Sequence, residues 1–224
     1  MLCLGGAAHA DGERDISVAV TISGSLGWVD MGQFSSATES YFATLDSQVE
    51  GFERRGAVNS HLALGAGLRS QLRLPRMVTI ETGLEVLYHR RTTAISIGDA
   101  DGEIGFKNTS IALPFALGLH APVAPRLALF GSIGPTLILT SRSQWDYTLG
   151  EVSSFLGDIG AGFEAGVGAE LNLGWRLRAV GQLRYRFAKS GSLSADGPEL
   201  PPLQPVEELG WKGVDGELGL RVVF

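Results

Sequence analysis

Twelve charged residues recur at alternate positions inside otherwise apolar segments, and their chemistry has to be explained first. Six are basic and six are acidic, namely Arg69, Arg73, Arg178, Arg184, Arg186 and Arg221, and Glu81, Glu85, Glu164, Glu170, Asp215 and Glu217. A charge that leaves water is costly unless it is paired and hydrogen-bonded. If the face that carries these residues is enclosed, they must pair with one another.

Three histidines lie at the same kind of position and raise the question of acyl transfer. A hydrolase of that type needs a serine, a histidine and an acid in mutual contact. Ser60 is adjacent to His61 but points to the opposite face, and Ser110 is not part of any motif with His89 or His120. We therefore expect interior histidines that are hydrogen-bonded to their neighbours, and no enzyme activity.

The sequence offers little to a metal or cofactor. Asp99, Asp101 and Glu103 have the alternate spacing of a calcium-binding loop, but the residues beyond them do not supply the remaining ligands. Cys3 is the one cysteine, so the body of the chain has neither a disulfide nor a thiolate metal site. A net charge of −6 argues against nucleic acid as the main partner. We expect no cofactor.

The spacing of the charged residues is that of β-strands, in which successive side chains point to opposite faces. In the last segment, Val214, Gly216, Leu218, Leu220, Val222 and Phe224 alternate with Asp215, Glu217 and Arg221. The same period predicts eight strands, over residues 16–28, 58–74, 78–89, 107–121, 126–140, 157–173, 177–187 and 211–224. The chain is therefore predicted to be all-β.

The connections between these strands alternate between long and short. The long ones cover residues 29–57, 90–106, 141–156 and 188–210, and the short ones lie at 75–76, 122–125 and 172–175. A short helical turn is expected near residues 41–49. Successive connections of an up-and-down antiparallel barrel lie at opposite ends, so the long loops are all expected at one end.

Period two does not by itself say which face of a barrel is inside. A soluble carrier of the lipocalin type would enclose its apolar face around a ligand. Here the polar face mixes glycine, alanine and serine with charges of both signs, which suits a narrow lumen. We therefore predict an eight-stranded antiparallel up-and-down transmembrane β-barrel, with the soluble carrier of an apolar ligand as the alternative.

Aromatic residues near the ends of the predicted strands are expected to form girdles at the two membrane interfaces. They are Trp28, Tyr88, Trp175, Tyr185, Phe187, Trp211 and Phe224. No apolar run approaches the roughly 18 residues that a membrane-spanning helix needs. Strands, and not helices, are expected to cross the membrane.

The two ends of the chain point to export. Ala8-His9-Ala10 is an A-x-A pattern followed by charged residues, so residues 1–10 are predicted to be the remnant of a secretory signal and 11–224 the barrel domain. The ending Gly219-Leu220-Arg221-Val222-Val223-Phe224 resembles the closing strand of the small eight-stranded outer-membrane barrels of the OmpA-like and OmpX-like superfamily.

The resemblance implies an outer-membrane protein of a Gram-negative bacterium, with both termini in the periplasm. Its partners would be outer-membrane lipid and lipopolysaccharide, and the barrel assembly machinery that reads the terminal strand. On this chain the expected assembly signal is Leu218, Leu220, Val222 and Phe224. The family covers membrane anchoring, adhesion and small-solute leakage, and some barrels of this size modify lipid A.

An eight-stranded barrel has an interior just wide enough for side chains, so the twelve charges are expected to plug it. We expect a structural or loop-mediated interaction role, with a small-solute channel as the alternative. Solvated acids dominate the outer loops: Asp30, Glu39, Asp46, Glu50 and Glu53 in the first, and Asp196, Glu199, Glu207 and Glu208 in the last. Trp145 and Tyr147 belong either to a girdle or to an adhesive tip that meets an extracellular ligand.

Overall fold

The computed structural model describes residues 16–31, 33–57, 62–75, 77–147, 152–195 and 209–224. Strands dominate these ranges because apolar and polar residues alternate along them. The elements in chain order are β1 (Ser17–Asp30), α1 (Gln33–Gln48), β2 (Phe52–Ala57), β3 (Leu62–Arg73), β4 (Val78–Ile97), β5 (Ala100–Ala124), β6 (Leu127–Tyr147), β7 (Val152–Gly157), β8 (Gly160–Gly174), β9 (Leu177–Lys189), β10 (Leu193–Ala195) and β11 (Gly210–Val223).

Eight of the strands form a closed antiparallel ring. Their order is β1, β3, β4, β5, β6, β8, β9 and β11, after which β11 pairs again with β1. The closing pair runs from Ala19 opposite Val223 to Asp30 opposite Lys212. Closure leaves no unpaired edge within the ring. The predicted eight-stranded up-and-down barrel is confirmed.

The apolar face of the ring is outside. Ile22 on β1 and Val167 on β8 are 68% and 65% exposed, and the other large apolar residues of this face are similarly open. The opposite face is buried and carries the charged residues. The alternative of a soluble carrier with an apolar lumen is therefore wrong, because the two faces are inverted relative to that fold. Within the described ranges, no helix is long and apolar enough to cross a membrane.

Three strands rise above the apolar belt. Along β4, β5 and β6 the outward positions change from Tyr88, Ile111 and Leu139 to Arg90, Lys107 and Arg142. The short strands β2, β7 and β10 widen this part into an open sheet, because β2 pairs with β4, β7 with β6 and β10 with β7. We call these six strands above the belt the outer extension.

The outer extension corrects two predicted loops. Residues 90–106 are strand up to a turn at Gly98 and Asp99, across which Ile97 pairs with Ala100. Most of 141–156 is strand as well, in β6 and β7. Outside the membrane both faces of a strand are allowed to be polar, so the period-two pattern that marks a strand is lost there.

The first connection holds a longer helix than the sequence indicates. A short turn is predicted near residues 41–49, whereas α1 spans Gln33–Gln48. The helix is rich in serine and threonine, which are weak helix formers, and it has few apolar residues to mark a face. Its position depends on tertiary packing that local sequence does not reveal.

The short connections all lie at the other end of the ring. The turn between β8 and β9 needs a left-handed backbone at Gly174 and Trp175, with φ of 109° and 50°. Asn172 Oδ1 accepts a hydrogen bond from Gly174 N at 2.9 Å and holds this turn. Phe224 lies at the same end, where its N–H donates to the Val18 carbonyl at 2.8 Å.

Candidate functional site in the barrel interior

Glu85 on β4 is the centre of the lumen. It accepts hydrogen bonds from Arg69, Arg184 and Arg186, which come from β3 and β9, with Arg69 Nε at 2.8 Å. Glu164 on β8 lies beside it, 3.1 Å from Arg69 Nη2 and 3.2 Å from Arg186 Nη2. Five fully buried charges thus share one set of contacts.

Arg184 connects this centre to β11. Its Nη2 lies 2.8 Å from Asp215 Oδ1, and its Nη1 lies 3.0 Å from Glu217 Oε2. One arginine therefore pairs with carboxylates from two strands, using several of its five donors.

A second cluster surrounds Glu170, nearer the short turns. Arg73 Nη2 lies 2.5 Å and Arg221 Nη1 2.8 Å from Glu170 Oε2. Arg178 donates to the other carboxylate oxygen, and His120 Nε2 lies 3.5 Å from that oxygen. One carboxylate is therefore shared by three arginines, with a histidine beside it.

Gln71 and Glu81 join the two clusters. Gln71 Oε1 accepts hydrogen bonds from Arg73 Nε and Arg221 Nη1, both at 3.0 Å. Its amide nitrogen donates to Glu81, which also lies 3.8 Å from Arg69 and 3.9 Å from Arg221. The structure thus brings all twelve predicted interior charges into one network of zero net charge. Phe130 of β6 packs against the Arg221 guanidinium, whose carbon lies 5.6 Å from the centroid of the Phe130 ring.

The outer part of the lumen contains an apolar cluster that the sequence pattern did not predict. Val29, Met31, Leu87, Phe106 and Trp211 are buried there in one cluster. Phe42 of α1 joins them and meets the Phe106 ring edge to face, with centroids 6.1 Å apart. The helix therefore covers the outer end of the lumen with an apolar side chain.

Trp211 corrects a predicted girdle position. It is 2% exposed, and its indole N–H donates to Ser110 Oγ at 2.8 Å inside the barrel. The sequence contained the signal, because Trp211 has the same odd parity as Asp215 and Glu217. A Trp at that phase of the strand points inward.

Two arginines hold α1 at its polar side. Arg54 of β2 donates to both oxygens of Glu39 at 2.6 and 3.0 Å, and Arg91 of β4 donates at 2.8 Å. The Arg54 hydrogen bonds lower the pKa of Glu39 from 4.5 to about 2, although partial burial opposes them, and Glu39 in turn raises the pKa of Arg54. Glu39 is thus ion-paired, whereas the sequence predicted only solvated loop surface for it. Arg54 also lies 4.7 Å from the Phe42 ring centroid.

No protein-family model and no curated protein matches the chain. Among solved structures, Neisserial surface protein A aligns at 10% identity and a TM-score of 0.47, over 94% of this chain and 100% of its own. OprG from Pseudomonas aeruginosa aligns at 9% and 0.45, over 95% and 97%. Ail, the attachment invasion locus protein of Yersinia pestis, solved with the heparin analogue sucrose octasulfate, aligns at 10% and 0.43, over 95% and 99%.

These identities and scores are low, so the assignment depends on the molecule itself. A closed ring of eight antiparallel strands has an apolar outside and a charged, filled inside. The chain has the fold of the small eight-stranded outer-membrane barrels.

The candidate hydrolytic residues of the barrel are used in structural contacts. Ser110 Oγ is hydrogen-bonded to Ser141 Oγ at 2.7 Å as well as to Trp211. His89 Nδ1 lies 3.4 Å from the side-chain nitrogen of Asn108, on the adjacent strand. His61 and Ser60 lie outside the described residues.

Asp99, Asp101 and Glu103, at and after the turn between β4 and β5, are exposed at the end of the outer extension. Asp101 lies 3.1 Å from Arg55 Nη1 of β2, so at least one of the three acids has a basic partner. Across the part of the chain that the structure describes, no group of three or more histidine, cysteine or acidic side chains is placed to hold a metal.

Several girdle residues of the barrel lie outside, as predicted. Trp28, Tyr185 and Phe187 are exposed on the ring, and Trp175 and Phe224 are exposed at the short-turn end. Leu218 and Leu220 of the predicted assembly signal also point outward. The predictions for residues 1–10, for Asp196, Glu199, Glu207 and Glu208, and for the side chains of Trp145 and Tyr147 concern parts of the chain that the structure does not describe.

Proposed function

We propose that this protein is a closed, non-conducting barrel of the bacterial outer membrane that acts through its outer extension in a structural or adhesive role. One observation carries the proposal: the lumen is filled at two levels. The charge network fills the middle of the lumen as far as the Glu170 cluster, and the apolar cluster under α1 lies across the outer end. Neither layer leaves a path through which a solute would cross the barrel.

Both levels oppose ion flow for physical reasons. In the middle, buried arginines and carboxylates neutralise one another, so an entering ion would have to separate paired charges. At the outer end, an ion would have to leave water for a layer built by Phe42, Phe106 and Trp211. A small-solute channel would need both layers to move.

Conductance in planar bilayers tests this directly. Wild-type protein, refolded in detergent and checked for a heat-modifiable band, should give no long-lived conductance steps. As a positive control for detection, a variant in which Phe42, Glu39 and Arg69 are replaced by alanine should give measurable leakage. Stable, frequent wild-type openings would support the channel and overturn the plugged barrel.

We further propose that the outer extension faces the medium and that both termini face the periplasm. The long and short connections of transmembrane barrels follow this arrangement. An epitope inserted between Gly98 and Asp99 should be labelled on intact cells, whereas the same epitope between Pro125 and Arg126 should be labelled only after the outer membrane is opened. The reverse labelling pattern would show that the barrel has the opposite orientation in the membrane.

An adhesive role places the recognising residues in the outer extension, because loops and strand tips held by a rigid scaffold are the usual sites of recognition. Cells that display the protein should bind host-cell or matrix surfaces, and replacing Trp145 and Tyr147 by alanine should reduce that binding while the heat-modifiable band is unchanged. If cells that carry the empty vector bind these surfaces equally well, the protein is not an adhesin and only the structural role remains.

We propose no catalytic role. The contacts of Ser110 and His89 support this, since both side chains contact other side chains inside the barrel. A lipid A profile that is unchanged on overexpression is the expected result, and a shortened or lengthened acyl pattern would contradict it.

A further inference from the structure

The short-turn end of the barrel contains a pocket of about 490 Å³ that the proposed function does not use. It lies below the second charge cluster, so Glu170, Arg73 and Arg178 form its floor. Three of the short connections contribute to its rim, through Pro75, Pro125 and Asn172 among others. The pocket therefore opens on the side of the barrel opposite to the outer extension.

The charges of the lumen are balanced as a whole but unevenly distributed along it. In the middle, Arg69, Arg184 and Arg186 are shared among the four carboxylates of Glu85, Glu164, Asp215 and Glu217. At the short-turn end, Arg73, Arg178 and Arg221 surround the carboxylate of Glu170. Glu81 lies between the two groups, 3.8 Å from Arg69 and 3.9 Å from Arg221. The end that forms the pocket is consequently cationic.

Arg126 adds to this imbalance. It lies in the turn between β5 and β6, where its carbonyl accepts the Asn172 N–H at 2.8 Å and fixes the turn against β8. Arg126 is one of the residues that line the pocket, and within the described ranges it has no ion pair with an acid. The pocket lining thus contains three arginines against one glutamate.

We propose that this pocket binds a phosphate group, either free in the periplasm or as the head group of a phospholipid in the facing leaflet. Guanidinium groups match phosphate oxygens in geometry as well as charge. Glu170 already shows that the arginines of the floor converge on an oxyanion. Leu74, Met77 and Leu127 give the rim an apolar side that suits the glycerol and first methylenes of a lipid.

The test uses the full chain folded in non-ionic detergent, with calorimetric titration at low salt. Two probes separate the sources: inorganic phosphate, and the water-soluble dihexanoyl phosphatidic acid below its critical micelle concentration. Wild-type protein should bind at least one of them saturably. Equal affinity for both assigns the site to free phosphate, and binding that is at least tenfold tighter for the lipid assigns it to a head group.

Arg126→Gln should weaken binding about tenfold, because it removes one charge-assisted contact. Arg176→Gln is the matched control: Arg176 lies in the β8–β9 turn, its carbonyl accepts the Val223 N–H at 2.9 Å, and it does not line the pocket. That variant should bind within about twofold of wild type, since distant exposed charges are screened. Both residues are exposed turn residues, so both variants should keep the heat-modifiable band.

Two results would overturn the proposal. One is the absence of saturable binding of either probe to wild-type protein. The other is an equal loss of affinity in Arg126→Gln and Arg176→Gln, which would show a general response to charge at this end of the barrel. Neither result bears on conductance or adhesion, so the proposed function would stand or fall separately.

Discussion

Arg69 on β3 and Glu164 on β8 stand on opposite sides of the ring, four strands apart in either direction, and their side chains meet with Nη2 and Oε1 at 3.1 Å. A contact of this kind crosses the whole lumen. The interior is therefore closed by direct side-chain contact, and the wall strands are tied together across the barrel as well as around it.

Arg69→Met should destabilise the barrel strongly. It leaves the buried carboxylates of Glu85 and Glu164 with fewer partners, and breaking a buried pair from one side costs about 3–5 kcal/mol. The loss should appear in urea unfolding of the detergent-folded protein, followed by circular dichroism. Arg69→Met combined with Glu164→Gln should recover part of it, and Arg142→Gln, on the outer face, should change little. A single variant as stable as wild type would show that the cross-lumen pair is not structural.

Glu39 should titrate far below an ordinary glutamate. Its pKa of about 2 lies under the usual 4.5, so the ion pairs with Arg54 and Arg91 contribute fully above about pH 4.5 and are lost as the pH falls toward 2. The side chain is half exposed, so the pairs contribute about 1 kcal/mol or less to holding α1. A carboxyl carbon NMR titration should show the low pKa, and Arg54→Gln should return it toward 4.5. A Glu39 pKa near 4.5 in the wild type would contradict the ion pairs with Arg54 and Arg91.

Phe42→Ala should release α1 without opening the ring of strands. The ring of Phe42 is buried against Phe106, and truncating a buried Phe costs about 3–5 kcal/mol, here at the helix alone. Hydrogen exchange of the α1 amides should become much faster while the β-strand amides remain protected. Ser47→Ala, at an exposed position of the same helix, is the control and should leave exchange nearly unchanged. If the α1 amides remain protected in Phe42→Ala, contacts other than that of Phe42 with Phe106 hold the helix.

Phe224→Ala should slow assembly in cells but not weaken the folded barrel. The side chain is 64% exposed on the outer face, so the folded state loses little when it is truncated. The fraction of heat-modifiable protein in the membrane should fall during a pulse-chase, whereas refolding into detergent should match wild type. Val223→Ala, next to it in the chain, is the control. Equal defects in cells and in detergent would assign Phe224 to stability and not to recognition.

The strand pattern was predictable because a bilayer imposes it. Wherever one face meets lipid and the other meets the lumen, as from Ile111 to Leu119 on β5, period two is strong enough to read directly. Above the belt, water contacts the outward face, and residues such as Arg90 and Lys107 stand where apolar residues would continue the pattern. The extension of β4, β5 and β6 was missed for that reason.

The interior shows the same division. The twelve charges and their inward direction follow from parity along each strand, and parity also placed Trp211 inside, although its aromatic character suggested a girdle. The partner of each charge does not follow from parity. Arg69 reaches Glu164 only because the ring closes, and α1 covers the lumen only because Phe42 finds Phe106, 64 residues further along the chain.

The amino-acid sequence by itself determined the strand period, the number of membrane-crossing strands, the order of long and short connections and the set of residues that face inward. These are local properties, repeated every two residues and enforced by lipid on one side. The tertiary structure decided which charges pair, that an apolar cluster under a helix covers the outer end of the lumen, and that the arginines outnumber the acids at the other end. Those features depend on distances between strands that are far apart in the chain, which only closure of the barrel establishes.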